Sequence, residues 1–119
     1  MSVHATWVVV ADQTRATIYA VPRGMSRLRE VFELESGGER PPGGRARACA
    51  FAAQLALYID EAQRDGRFDE LILVAPTAFL EALREKLSKA ARGALIGEIG
   101  KNLVAAGRET LQEEVLRVL

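Results

Sequence analysis

Hydrophobic positions along the chain follow two periods in turn, and their order predicts the architecture. Ala5-Thr6-Trp7-Val8-Val9-Val10-Ala11 is β-branched and aromatic and nearly free of polar residues, which suits a central strand buried on both faces. Asp12-Gln13 makes a tight turn. From Thr14 to Val21, Ala16, Ile18 and Ala20 alternate with Arg15, Thr17 and Tyr19, the period of a strand. Pro22-Arg23-Gly24 is a turn signal, and the run from Leu28 to Leu34 is polar enough for an edge strand. Strands at 5–11, 14–21 and 27–34 with short turns between them predict an antiparallel meander.

Ser36 to Gly44, SGGERPPGG, reads as a loop, and beyond it the period becomes helical. Ala48, Phe51, Ala52, Leu55, Ile59 and Ala62 form one apolar stripe, with Gln54, Glu61 and Arg64 facing water and Gly66 ending the helix. Leu71 to Ala75 is a buried strand, predicted over 70–75, and Pro76 opens a second helix. Its stripe is Phe79, Leu80, Leu83, Leu87 and Ala90, and Gly93 stops it before a strand at 94–99. Thr110-Leu111-Gln112-Glu113 resembles a capping box, opening a short helix that packs through Leu111, Val115 and Val118. The order is βββαβαβα. Strand–helix–strand crossovers are right-handed in about 98% of cases, so the second half adds parallel strands to the meander. The fold class is α/β: a single three-layer domain over 1–119 with a five-stranded mixed sheet, whose first strand pairs with the second and with 70–75. The expected core is Val8, Val10, Ile18, Phe51, Leu55, Leu73, Phe79 and Leu83.

The 119 residues are 49% apolar and 27% charged, with 16 basic against 16 acidic side chains. That balance excludes a polybasic protein that binds through gross charge. The longest largely apolar stretch, Leu71 to Phe79, is far short of the roughly 20 residues of a membrane span. No basic and apolar leader is visible at the N-terminus, so the expected compartment is the cytoplasm, with no membrane partner. Cys49 is the single cysteine, which excludes an intrachain disulfide and a cysteine zinc site.

The strand order is that of ribonuclease-H-like folds, where metal-dependent hydrolysis needs several converging carboxylates. Asp12 is one candidate, but it also suits a turn. Asp60 and Glu61 lie near the end of the first helix, and Ala75-Pro76 stands where a third acid is wanted. A phosphate-binding reading of residues 93–102 fails as well, because Leu95 replaces a required glycine and Asn102 a required hydroxyl. Lys101 then reads as a surface charge and Gly97 as a point of close packing. Cys49 has no partner histidine besides His4, and Ser2, Ser26, Ser36 and Ser88 occur in no nucleophile motif. No enzyme activity and no cofactor are expected. The exception is the segment Arg40-Pro41-Pro42-Gly43-Gly44-Arg45-Ala46-Arg47. Arg40, Arg45 and Arg47 around Gly43-Gly44, running into a helix, suit phosphate groups; the alternative is an ordinary solvated surface loop whose charges keep it soluble. A second basic set, Arg84, Lys86, Lys89 and Arg92, is accounted for by the dipole at the end of the second helix.

Two stretches carry a family resemblance. Trp7-Val8-Val9-Val10-Ala11-Asp12, and Phe68-Asp69-Glu70-Leu71-Ile72-Leu73-Val74-Ala75-Pro76 with Phe79-Leu80 and Leu83-Arg84 behind it, resemble the bacterial "protein required for attachment to host cells" family. Glu98-Ile99-Gly100-Lys101-Asn102-Leu103 is similar to its next block. That family is similar to the middle domain of archaeal and eukaryotic class-1 peptide-chain release factors. The resemblance implies a ribonuclease-H-like domain and a translational partner. It also implies that the loop before the first helix corresponds to the Gly-Gly-Gln loop those factors insert into the peptidyl-transferase centre. Here Gly43-Gly44 is followed by Arg45, and Gly100 and Asn102 stand where relatives carry acids. The expectation is a non-catalytic domain binding ribosome or RNA; the alternative is a protein-interaction or regulatory domain acting indirectly in attachment.

Overall fold

Seven consecutive buried residues, Ala5–Ala11, form strand β1 and set the centre of the sheet. The computed structural model describes residues 5–22, 28–35, 44–104 and 107–118, with backbone alone at 22, 44–49 and 108. After β1 come β2 (Arg15–Pro22), β3 (Arg29–Glu35), α1 (Gly44–Arg64), β4 (Glu70–Val74), α2 (Thr77–Lys86), α3 (Lys89–Gly93), β5 (Leu95–Ile99) and α4 (Arg108–Val118). The sheet runs β3-β2-β1-β4-β5. β1 is antiparallel to β2, which is antiparallel to β3, while β1, β4 and β5 are parallel. These are the expected meander and crossovers, with β1 central.

Side-chain parity along β1 divides the core. Trp7, Val9 and Ala11, with Ile18, Leu71 and Leu73, pack under Phe51, Leu55 and Ile59 of α1 and Phe79, Leu80 and Leu83 of α2. Val8, Val10, Ile72, Val74 and Ile99 face Leu111 and Val115 of α4 on the other side. All eight expected core residues are buried. Gly97 is the point of close packing, since a Cβ there would run into Val118 Cγ1. Both edge strands carry one residue out of register: Val31 between the pairs Ile18–Phe32 and Tyr19–Glu30, and Ile96 between Leu71–Leu95 and Ile72–Gly97.

Two expectations need correction. The helix expected to run from Pro76 to Gly93 is broken after Lys86: Leu87 is extended, and Ser88 caps a separate turn, its Oγ accepting from Ala91 N–H at 3.1 Å. The break shifts the apolar stripe by one residue, so Ala91 is buried and Ala90 is exposed. The Thr110 capping box does not form, because α4 begins at Arg108 and Leu111 N–H donates to the Gly107 carbonyl at 3.1 Å. Thr110 is an exposed residue within the helix.

Candidate functional site

The carboxyl ends of β1, β4 and β5 lie at one end of the sheet, the usual place for ligands in open α/β folds. Asp12 closes the β1–β2 hairpin there, its N–H donating to the Arg15 carbonyl at 2.9 Å. Its Oδ1 accepts from Thr14 N–H at 2.8 Å, Thr14 Oγ1 at 2.9 Å and Arg15 N–H at 2.9 Å. Burial pushes the carboxyl up, but the Thr14 and Arg15 N–H donors together with the Thr14 hydroxyl outweigh it and hold Asp12 below the usual carboxylate range. Asp12 is therefore a turn residue with its ionised form secured.

An open cleft of about 270 Å³ lies beside this turn, lined by Asp12, Gln13, Thr14, Pro76 and Asn102. Pro76 precedes α2 without a side-chain cap, and Asn102 Oδ1 accepts from Val104 N–H at 3.3 Å. Among the described residues that line the cleft, Asp12 is the one acid. Asp60 is at the opposite end of the sheet, where its Oδ1 accepts from Ser88 N–H at 3.0 Å. The helix carboxylates and Asp12 are thus not brought together. Among the described residues no group of three or more His, Cys, Asp or Glu is placed to hold a metal ion. Position 100, where relatives are expected to carry an acid, is close-set: a Cβ there would lie 3.0 Å from Thr77 Oγ1.

Strand β3 ends at this same end, since Glu35, its last residue, pairs with Arg15 next to the Asp12 turn. Arg40 and Gly43 lie outside the described residues. Gly44, Arg45 and Arg47 belong by their backbone to the start of α1, which begins earlier than its apolar stripe and has no acid in its first turn. They are helix residues rather than loop residues; Arg and Ala are both strong helix formers. His4, Ser2, Ser26 and Ser36 also lie outside the described residues, as does the Cys49 side chain. Sequence reasoning missed the cleft, which is assembled from three segments far apart in the chain.

A family model described as bacterial archaeo-eukaryotic release factor family 12 matches residues 44–115. The chain belongs to this family. The match to family 12 opens on Gly44-Arg45-Ala46-Arg47 and runs through α4 as far as Val115. Two solved structures are similar to the family 12 chain in fold. One is an archaeal protein, with a TM-score of 0.54, 16% identity and coverage of 95% of this chain and 36% of that one. The other is the archaeal translation termination factor aRF1, with a TM-score of 0.52, 16% identity and coverage of 95% and 38%. The family 12 chain thus spans little more than a third of the length of either. No curated protein sequence matches it. Among the described residues no helix is long and apolar enough to cross a membrane.

Proposed function

We propose that this release-factor-family chain is a non-catalytic domain that binds the ribosome or RNA through Arg40, Gly43, Gly44, Arg45 and Arg47. The observation that carries the reading is the family match, whose span opens on Gly44-Arg45-Ala46-Arg47 at the start of α1. The first turn of a helix leaves backbone N–H groups for a ligand, α1 carries no acid there, and arginine is the residue type that forks onto phosphate oxygens. Arg45 after Gly43-Gly44 supports binding rather than peptide release, because a guanidinium only donates hydrogen bonds whereas a glutamine amide both donates and accepts.

Replacing Arg40, Arg45 and Arg47 together by serine tests the reading. Co-sedimentation with ribosomes at about 50 mM salt is expected to weaken, and the slope of log K against log salt to flatten by about 2–3, at roughly 0.7–0.9 per phosphate contact. Thermal stability should barely change. Undiminished binding by the triple variant would remove the arginine segment from the interface and leave the protein-interaction reading, including an indirect part in attachment. Turnover of peptidyl-tRNA or RNA that co-purifies with the protein, and is lost in Asp12→Ala or Arg45→Ala, would overturn the non-catalytic part.

A further inference from the structure

The hairpin turn uses only half of the Asp12 carboxylate. Thr14 N–H, Thr14 Oγ1 and Arg15 N–H all donate to Oδ1, and among the described residues Oδ2 has no hydrogen bond. With its charge secured, that second oxygen remains an acceptor. Asn102 is divided in the same way. Its Oδ1 accepts from Val104 N–H at 3.3 Å, which assigns the other end of the amide as nitrogen, and among the described residues Nδ2 has no acceptor. A spare acceptor from the β1–β2 turn and a spare donor from the segment after β5 therefore belong to residues that line one cleft. Gln13, exposed beside them, adds an amide, and the half-buried Pro76 ring adds an apolar wall.

The chemistry of this lining narrows the ligand. Among the described lining residues there is no lysine, arginine or histidine, and the single charge is negative. A phosphate or carboxylate is therefore repelled, even though the uncapped first turn of α2 begins at Pro76. A bound metal ion needs several ligating groups, and Asp12 stands there as the one acid. What suits the cleft is a neutral group that presents an N–H donor next to an acceptor. Cytosine and adenine carry that pair on one flat edge, an exocyclic amine beside a ring nitrogen, whereas uracil presents a carbonyl beside a ring N–H. The volume of about 270 Å³ is just under the roughly 300–1,000 Å³ of clefts that take drug-sized molecules, a size for a single base.

We infer that the cleft lined by Asp12, Gln13, Pro76 and Asn102 takes one unpaired cytosine or adenine base of an RNA strand. Asp12 Oδ2 accepts from the exocyclic amine, and Asn102 Nδ2 donates to the neighbouring ring nitrogen. The inference takes its partner class from the proposed function and adds a different kind of contact, since phosphate contacts position a strand whereas an edge contact selects the base. With no aromatic side chain in the described lining to stack on, the base is held by its edge.

The test uses fluorescein-labelled oligocytidine and oligouridine of equal length at about 50 mM salt, where phosphate contacts are strong. The two strands carry the same charge and differ at the edge in question, so the ratio of their affinities isolates the base contact. The parent is expected to bind oligocytidine about tenfold more tightly, within the range of one good base-edge pair. Asp12→Asn keeps an oxygen for the three donors of the turn and puts an amide nitrogen in place of Oδ2, so the ratio should fall to about one or below. Losing a negative charge strengthens phosphate binding of both strands alike and cancels in the ratio. Asn102→Ala, with no change of charge, should lower the ratio as well, and equal thermal midpoints separate that from loss of fold. A cytidine preference retained by both variants places the base elsewhere and overturns the cleft. Equal, salt-dependent binding of both strands by the parent also overturns it, while leaving the phosphate reading in place. If neither strand binds, the phosphate reading falls, and NMR at the Gln13, Thr14 and Asn102 amides with free cytidine against free uridine decides the cleft alone. Shifts with cytidine only keep it as a nucleoside site; shifts with both or with neither overturn it. Acetamide reproducing the cytidine shifts at equal concentration would replace the base by a side-chain amide of a protein.

Discussion

At position 97 a methyl group would be driven into the Val118 side chain, so the missing side chain is what lets α4 lie across β5. Gly97→Ala should cost about 1–3 kcal/mol in denaturant unfolding, the usual range for overpacking. Adding Val118→Ala should recover part of that loss; strictly additive costs in the double variant would show that the two positions do not touch. Asp12 gives a second residue-scale prediction. Its pKa is lower folded than unfolded, so its stabilisation is complete above the unfolded value and disappears as pH falls through the folded one. Asp12→Ala should cost about 1 kcal/mol near neutral pH, and the gap between variant and parent should close in acid. A gap that is constant with pH would mean that the carboxylate's charge contributes nothing to the turn. Both roles were legible in sequence, the glycine as a close approach and the aspartate as a turn. The three donors converging on one oxygen were not, because they depend on the hairpin register.

Among the elements, the helical stripes were the most readable, because each repeats an apolar side chain toward one surface. Leu83 of α2 is 1% exposed between α1 and the sheet. Leu83→Ala should cost about 2–5 kcal/mol, measured by chemical denaturation. A cost within about 0.5 kcal/mol would be that of a surface position and would put the wrong face of α2 inward. The stripe stopped being informative at Ser88. Its break is secured by the Asp60 carboxylate, 28 residues earlier in the chain and on another helix. A local pattern carries no record of that bond, so Ala90 was given the inward place that Ala91 occupies. The same applies at α4, where a capping sequence lost to a turn begun two residues earlier at Arg108.

For the whole molecule, strand order was accessible because handedness leaves few ways to return a helix across a sheet. The site was less so. The arginine segment is contiguous and could be seen, whereas the cleft joins the β1–β2 turn, Pro76 and Asn102, which only the folded sheet brings together. The two out-of-register residues, Val31 on β3 and Ile96 on β5, matter at this scale too. They occupy the two outermost strands, one at each side of the sheet, and each is 42% exposed. A bulge bends its strand and puts the outward N–H and C=O groups out of step with those of an incoming straight strand. A second chain that began to zip along either margin would lose alignment within a few residues. Such a sheet is poorly suited to templating its own polymerisation.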